Sequence, residues 1–176
     1  MGWRRHRGRQ VSRPVINIAD LTLESWSKGA KYASTDASFG RRIGMTGMGI
    51  SYNEVPPGKS GCPYHNHHVE DELFIVLEGE GTYRFGAESY PIKAGDVLGA
   101  PAGGRDVAHQ IINTGAVTLR YYGVSTKAQS EVVEYPDSNK FAAFSRLSDG
   151  KKPFDIIGQA DASLDYWDGE DIGEHE

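Results

Sequence analysis

Between about residues 43 and 124 the chain reads as short β-type runs, each closed by glycine or proline, and no long helical period interrupts them. Regular short runs of this kind belong to an all-β sandwich or barrel. The predicted strands are 43–55, 64–67, 72–77, 81–85, 96–100, 108–113 and 117–125. Between them stand ProProGly at 56–58, GlyGluGly at 79–81, Gly86, AlaGly at 94–95, ProAlaGlyGly at 101–104 and ThrGly at 114–115. Each supplies the positive or fixed φ that a tight reversal needs. Seven of the 22 glycines lie between 79 and 104, with apolar residues recurring among them. That density fits the corners of a small barrel and not a flexible linker.

The flanks are less regular. Residues 1–40 read as an N-terminal arm and flanking segment, 41–127 as the barrel, and 128–176 as a C-terminal covering segment with an acidic tail. A short helix is expected at 21–27, where Asp20 or Thr22 can cap and Glu24 falls in the first turn. Residues 126–150 are expected to be extended chain over the barrel, with Pro136 and Gly150 as breakers. Residues 151–176 are expected to be irregular and weakly ordered, with Phe154, Ile156, Ile157, Tyr166 and Trp167 available to dock.

The 176 residues fit one domain, and 38% hydrophobic residues suffice for an ordinary core. No run of 18 apolar residues exists, and the basic N-terminus lacks the apolar stretch of a secretory signal, so a soluble cytoplasmic chain with no membrane association is expected. The single Cys62 excludes an intramolecular disulfide and a cysteine-based zinc cluster. Arg4, Arg5, Arg7, Arg9 and Arg13 form an acid-free arm, and residues 161–176 carry seven acids and no base. Short single-sign termini are usually solvated, and the central region shows no basic stripe, so no nucleic-acid partner is expected.

Of the six histidines, His6 and His175 lie in the tails. Residues i and i+2 of a strand face the same side, so His65 and His67 present two imidazoles together while Asn66 points away. Four residues then separate His67 from Glu72, enough for a turn that returns the chain antiparallel and sets a carboxylate beside the imidazoles. Phe74 and Val76 share the parity of Glu72 and should line the same interior. The bland alternative is a group of satisfied core or surface histidines.

The segment from His65 to Gly79 resembles the first motif of the cupin family: His-x-His, four residues, Glu, six residues, Gly. The glycine that opens this motif is replaced by Lys59, flanked by Gly58 and Gly61. Gly95, Pro101, Gly103, His109 and Asn113 resemble the second motif, with five residues in place of two between Gly103 and His109. The resemblance covers about residues 45–125 and implies a double-stranded β-helix, or jelly roll, in which His65, His67, Glu72 and His109 bind one divalent metal ion. Three imidazoles and a carboxylate suit Fe, Mn, Ni or Co in octahedral geometry with two open positions, and zinc is compatible.

Other residues near the motifs carry separate expectations. His68 has the wrong parity for ligation, Cys62 reads as a packed small side chain, and Asn113 as a turn residue bonded to backbone. Glu70, Asp71 and Asp106 read as exposed turn residues. Arg105, in the inserted loop, and Arg84 are candidate substrate-binding residues set against an exposed-arginine reading. Relatives similar to this chain are described as sugar-isomerase-like. The resemblance therefore implies a metal-dependent isomerase-type enzyme acting on a small oxygen-rich substrate such as a sugar, a sugar phosphate or a related acid. An Fe(II) dioxygenase, a decarboxylase and a non-enzymatic ligand- or metal-binding module remain alternatives. Trp26, Tyr32, Phe141, Phe144, Tyr166 and Trp167 offer more aromatic surface than one small barrel covers, and a homodimer is expected.

Overall fold

A computed structural model of the chain describes residues 13–147 and 151–173. Arg4, Arg5, Arg7, Arg9, Gly150 and His175 lie outside the described residues. The strands are β1 (Glu24–Lys28), β2 (Tyr32–Ser38), β3 (Met48–Val55), β4 (Asn66–His67), β5 (Glu72–Glu78), β6 (Glu80–Phe85), β7 (Glu88–Lys93), β8 (Val97–Ala100), β9 (His109–Ile112), β10 (Leu119–Thr126), β11 (Ser130–Tyr135), β12 (Lys140–Ser145) and β13 (Phe154–Gln159). Helical structure among the described residues is limited to single 3-10 turns such as Ile18–Asp20 and Arg105–Val107.

One layer is a six-stranded sheet in the order β1-β2-β3-β10-β5-β8. The other consists of β7-β6-β9 and β13-β12-β11-β4. Two antiparallel bridges, Ser60 to Ile112 and His65 to His109, join the chain around β4 to β9. The interior is filled by Val55, Val76, Tyr83, Ile92, Leu98, Ile111, Leu119 and Tyr121, with Phe74 and Phe85 against them. Strand alternation puts Tyr52 and Tyr122 on the opposite face of the large sheet, where Leu21, Phe39 and neighbouring apolar residues form a second cluster. The N-terminal flank thus covers the sheet's outer side. Gly79 turns β5 into β6 at φ +84°, and a side chain there would begin 2.8 Å from the Thr118 carbonyl oxygen. Only glycine fits such a position.

This is the expected jelly roll, with more strand in its flanks than the sequence reading assigned. The short helical turn falls at Ile18–Asp20, where the Asn17 side chain accepts the Ala19 N–H at 2.9 Å, and not at 21–27. Residues 24–28 instead pair with β2 through a reversal at Gly29 (φ +57°), tied by Ser25–Thr35 and Trp26–Asp36 side-chain hydrogen bonds. Local capping signals lost to cross-strand pairing. The first predicted strand begins late, at Met48, because a 3-10 turn over Gly40–Ile43 ends on a left-handed Gly44. The run 88–93 was not read as a strand. It pairs as β7 at a sheet edge, where Pro91 without an N–H is tolerated. Residues 130–145 form a hairpin, and Phe154–Gln159 pairs with β12, so this part of the expected irregular tail is sheet.

Candidate metal centre

His65 and His109 face one another across the bridge between the two smaller sheets. The His65 N–H donates to the His109 carbonyl at 3.1 Å, and the reciprocal bond is 2.7 Å. Residues directly opposed in this way project to the same face, and His67, two residues on, follows. Glu72 opens β5 in the facing sheet, on the interior side with Phe74 and Val76. Its Oε2 lies 3.2 Å from His109 Nε2, 3.3 Å from His67 Nε2 and 3.7 Å from His65 Nε2. Ligands about 2.1 Å from a common ion, at right angles, stand about 3 Å apart. The separations to His109 and His67 are close to such an edge and that to His65 is longer, and the ligand atoms of His65, His67 and Glu72 together could hold a divalent ion.

The rings are turned for that role. His65 Nδ1 lies 2.8 Å from the Pro63 carbonyl, and His109 Nδ1 lies 3.4 Å from the Val107 carbonyl. A proton held at Nδ1 would leave Nε2 able to bind an ion beside Glu72. Burial would raise the Glu72 carboxyl, but hydrogen bonds from His109, His65 and His67 outweigh it and hold the group well below the usual carboxylate range. His65 responds to that anion: burial opposes its charged form, yet the adjacent Cys62 and Glu72 push it up to about 10. Burial pulls His109 the other way. The cluster is a buried carboxylate whose charge is offset by the histidines around it. Aromatic rings close around it, with Phe74 centred 5.7 Å and Tyr83 6.2 Å from His109, and Tyr135 stacked 6.3 Å from His65.

The structure brings His65, His67 and Glu72 together, with His109 Nε2 beside Glu72. Arg84 and Arg105 are engaged in ion pairs. Arg84 leaves β6 on the face opposite Tyr83 and Phe85, grips Asp137 with two hydrogen bonds of 2.7 and 2.9 Å and lies over the Tyr64 ring. Arg105 donates to Glu134 at 3.0 Å and to Asn139 at 3.2 Å. His68 turns outward, with Nε2 3.0 Å from Glu134, as its parity required. His68→Ala is accordingly expected to keep the metal content of the native protein within twofold, measured by elemental analysis after gel filtration. Loss as complete as in His67→Ala would refute the parity argument.

One sequence expectation near the site fails. Glu70 is not an exposed turn residue but is 2% exposed, accepting the Ala128 N–H at 2.8 Å and Lys127 Nζ at 3.1 Å. Asn113 performs the structural task expected of it, bonding the Val55 and Val117 carbonyls and the Gly115 N–H. Two residues at the site were missed, Tyr135 and Glu131, both on β11. The alternation of Glu131, Val133 and Tyr135 was the available signal, a period of two in a segment read only as covering chain.

The fold and site define a class of jelly-roll barrel whose interior carries a His/Glu cluster that could hold a metal ion. Residues 51–125 match the cupin domain family. It is similar to an oxalate-binding protein of Thermotoga maritima, 38% identical over 71 residues, which are 40% of this chain and 55% of that protein. The chain spans about half the length of the curated relatives it matches. Among solved structures, a candidate sugar phosphate isomerase from Acidithiobacillus ferrooxidans is 26% identical, with 88% of this chain and 97% of that one covered at a TM-score of 0.75. A predicted oxalate decarboxylase from Thermotoga maritima is 29% identical, with 65% of this chain and 99% of that one covered at a TM-score of 0.57. No helix among the described residues is long and apolar enough to cross a membrane.

Proposed function

We propose that the protein is a metal-dependent enzyme acting on a small oxygen-rich molecule, with isomerisation of a sugar, a sugar phosphate or a related acid as its reaction. The observation that carries the reading is the convergence of three imidazole Nε2 atoms on Glu72 Oε2 inside an aromatic-walled barrel. A divalent ion held by these four groups supplies a Lewis acid for a carbonyl oxygen. The similarity to the Acidithiobacillus protein over nearly the whole of both chains supports the isomerase direction. The higher but shorter identity to the oxalate-binding protein favours a second reading, a decarboxylase or binder of a small dicarboxylic acid.

Metal analysis of protein purified with and without air comes first, followed by incubation of the loaded protein in D2O with aldose and ketose phosphates and with oxalate, read by NMR and carbon dioxide release. Deuterium entering next to the sugar carbonyl supports isomerisation, and carbon dioxide from oxalate supports the second reading. Protein that takes up none of Fe, Mn, Co, Ni and Zn overturns both.

We further propose that a second copy of this chain covers the face around β13. Phe154, Ile156 and Ile157 are all exposed, so this strand is apolar on both sides at the edge of its sheet. An open strand edge with apolar faces is a ready template for another copy, and two-fold pairing would close it. Light scattering at several micromolar concentrations is expected to give the dimer mass. A monomer mass throughout would refute the pairing.

A further inference from the structure

Glu131 lies outside both motifs, yet its side chain is fully enclosed behind the metal cluster. Its Oε1 accepts the backbone N–H groups of His68 (3.1 Å), Val69 (3.1 Å) and Val132 (2.8 Å). Its Oε2 accepts the Glu70 N–H at 2.7 Å and stands 3.6 Å from Nδ1 of His67. That nitrogen is buried and has no hydrogen-bond partner within the usual distance. Residues 68–70 belong to the turn that separates His67 from Glu72, so one carboxylate ties down three successive amides between two metal ligands.

His67, Glu70 and Glu131 approach one another closely enough to hold an ion of their own. Their existing partners argue against it. The Glu131 oxygens accept four N–H groups, and those of Glu70 accept from Ala128 and Lys127 with Arg146 3.8 Å away. An ion there would have to displace donors that already compensate both charges.

We infer that Glu131 is a positioning residue for the metal centre: it fixes the turn between His67 and Glu72 and, when an ion is bound, holds the His67 proton on Nδ1 so that Nε2 can bind the ion beside Glu72. The inference rests on the metal-centre reading above. His65 and His109 obtain the same orientation from backbone carbonyls, whereas His67 has only this carboxylate. A carboxylate is the stronger acceptor, and an acceptor at Nδ1 raises the basicity of the opposite nitrogen.

Glu131→Gln tests this. The amide oxygen must occupy the place of Oε1, where three N–H groups converge, and the NH2 group then faces the Glu70 N–H and His67 Nδ1. His67 is forced to carry its proton on Nε2, where the metal should bind. The expected result is a 10- to 100-fold weaker affinity for Zn(II), measured by chelator competition. Imidazole 15N NMR of the zinc-loaded proteins should show His67 bound through Nε2 with a proton on Nδ1 in the native chain, and that pattern lost in the variant. In a His67→Ala background, Glu131→Gln should cost no further zinc affinity. Equal losses in both backgrounds, or zinc affinity within threefold of native in E131Q, would overturn the inference. If the variant does not fold, the spectrum of the zinc-loaded native protein still decides, because a zinc-bound His67 without a proton on Nδ1 contradicts the proposal. Failure of the native protein to bind any divalent ion overturns the metal reading and the inference with it, whereas native binding that E131Q leaves unchanged overturns the inference alone.

Discussion

His65→Ala or His109→Ala is expected to lower bound divalent metal at least tenfold while leaving a folded β protein. Each removes one of three nitrogens that converge on Glu72 Oε2, at 3.7 Å and 3.2 Å respectively. Neither imidazole belongs to the apolar interior cluster that packs the two layers. An ion that binds only the folded state at 100 times its dissociation constant contributes about 2.7 kcal/mol of stability. Addition of metal should therefore raise the melting temperature of the native protein and leave that of either variant nearly unmoved. Elemental analysis showing full occupancy in either variant would sink the site assignment.

Asn113→Ala is expected to be the most damaging single change away from the metal. The side chain is fully buried, donates to the Val55 carbonyl at 2.7 Å and the Val117 carbonyl at 2.8 Å, and accepts the Gly115 N–H at 3.0 Å. Alanine leaves the buried Val55 carbonyl without its donor and removes the part-buried bonds to the Val117 carbonyl and the Gly115 N–H. Each unsatisfied group costs about 1–3 kcal/mol, so the total is expected to be roughly 3 kcal/mol or more. Urea unfolding at saturating metal measures it, with a melting-temperature drop of roughly 6–12 °C as the companion signal. A loss below about 1 kcal/mol would mean that water or a local shift replaces all three bonds.

The ligands were legible because their signals are short in range. His65, His67 and Glu72 lie within eight residues, and a period of two plus one turn brings them together with no knowledge of the rest of the fold. His109 is 37 residues beyond Glu72, and only the resemblance of its motif linked it to the others. Glu131 was invisible for a different reason. Its function depends on β11 pairing with β4, a strand of two residues, through the register Val133 to His67. No local pattern announces such a long-range partner. Glu70 was misread because acidic residues in turns usually face water, and the buried placement comes from Lys127 and Ala128 arriving from the end of β10. The flanking strands β1 and β13 were obscured in the same way: both are edge strands with largely exposed side chains, so their sequences lack the alternation that marks a half-buried strand.

The imidazoles hang from one layer of the sandwich and the carboxylate from the other. A bound ion is therefore a rivet through the barrel wall to wall, and separating the layers requires breaking coordination bonds as well as apolar contacts. If the layers part before the top of the unfolding barrier, the rivet holds in the folded state and is gone at the barrier, so its effect falls on the unfolding rate. Chelation should then shorten the lifetime of the native chain in denaturant and leave the refolding rate nearly unchanged. Durability, as distinct from equilibrium stability, would be set by metal supply.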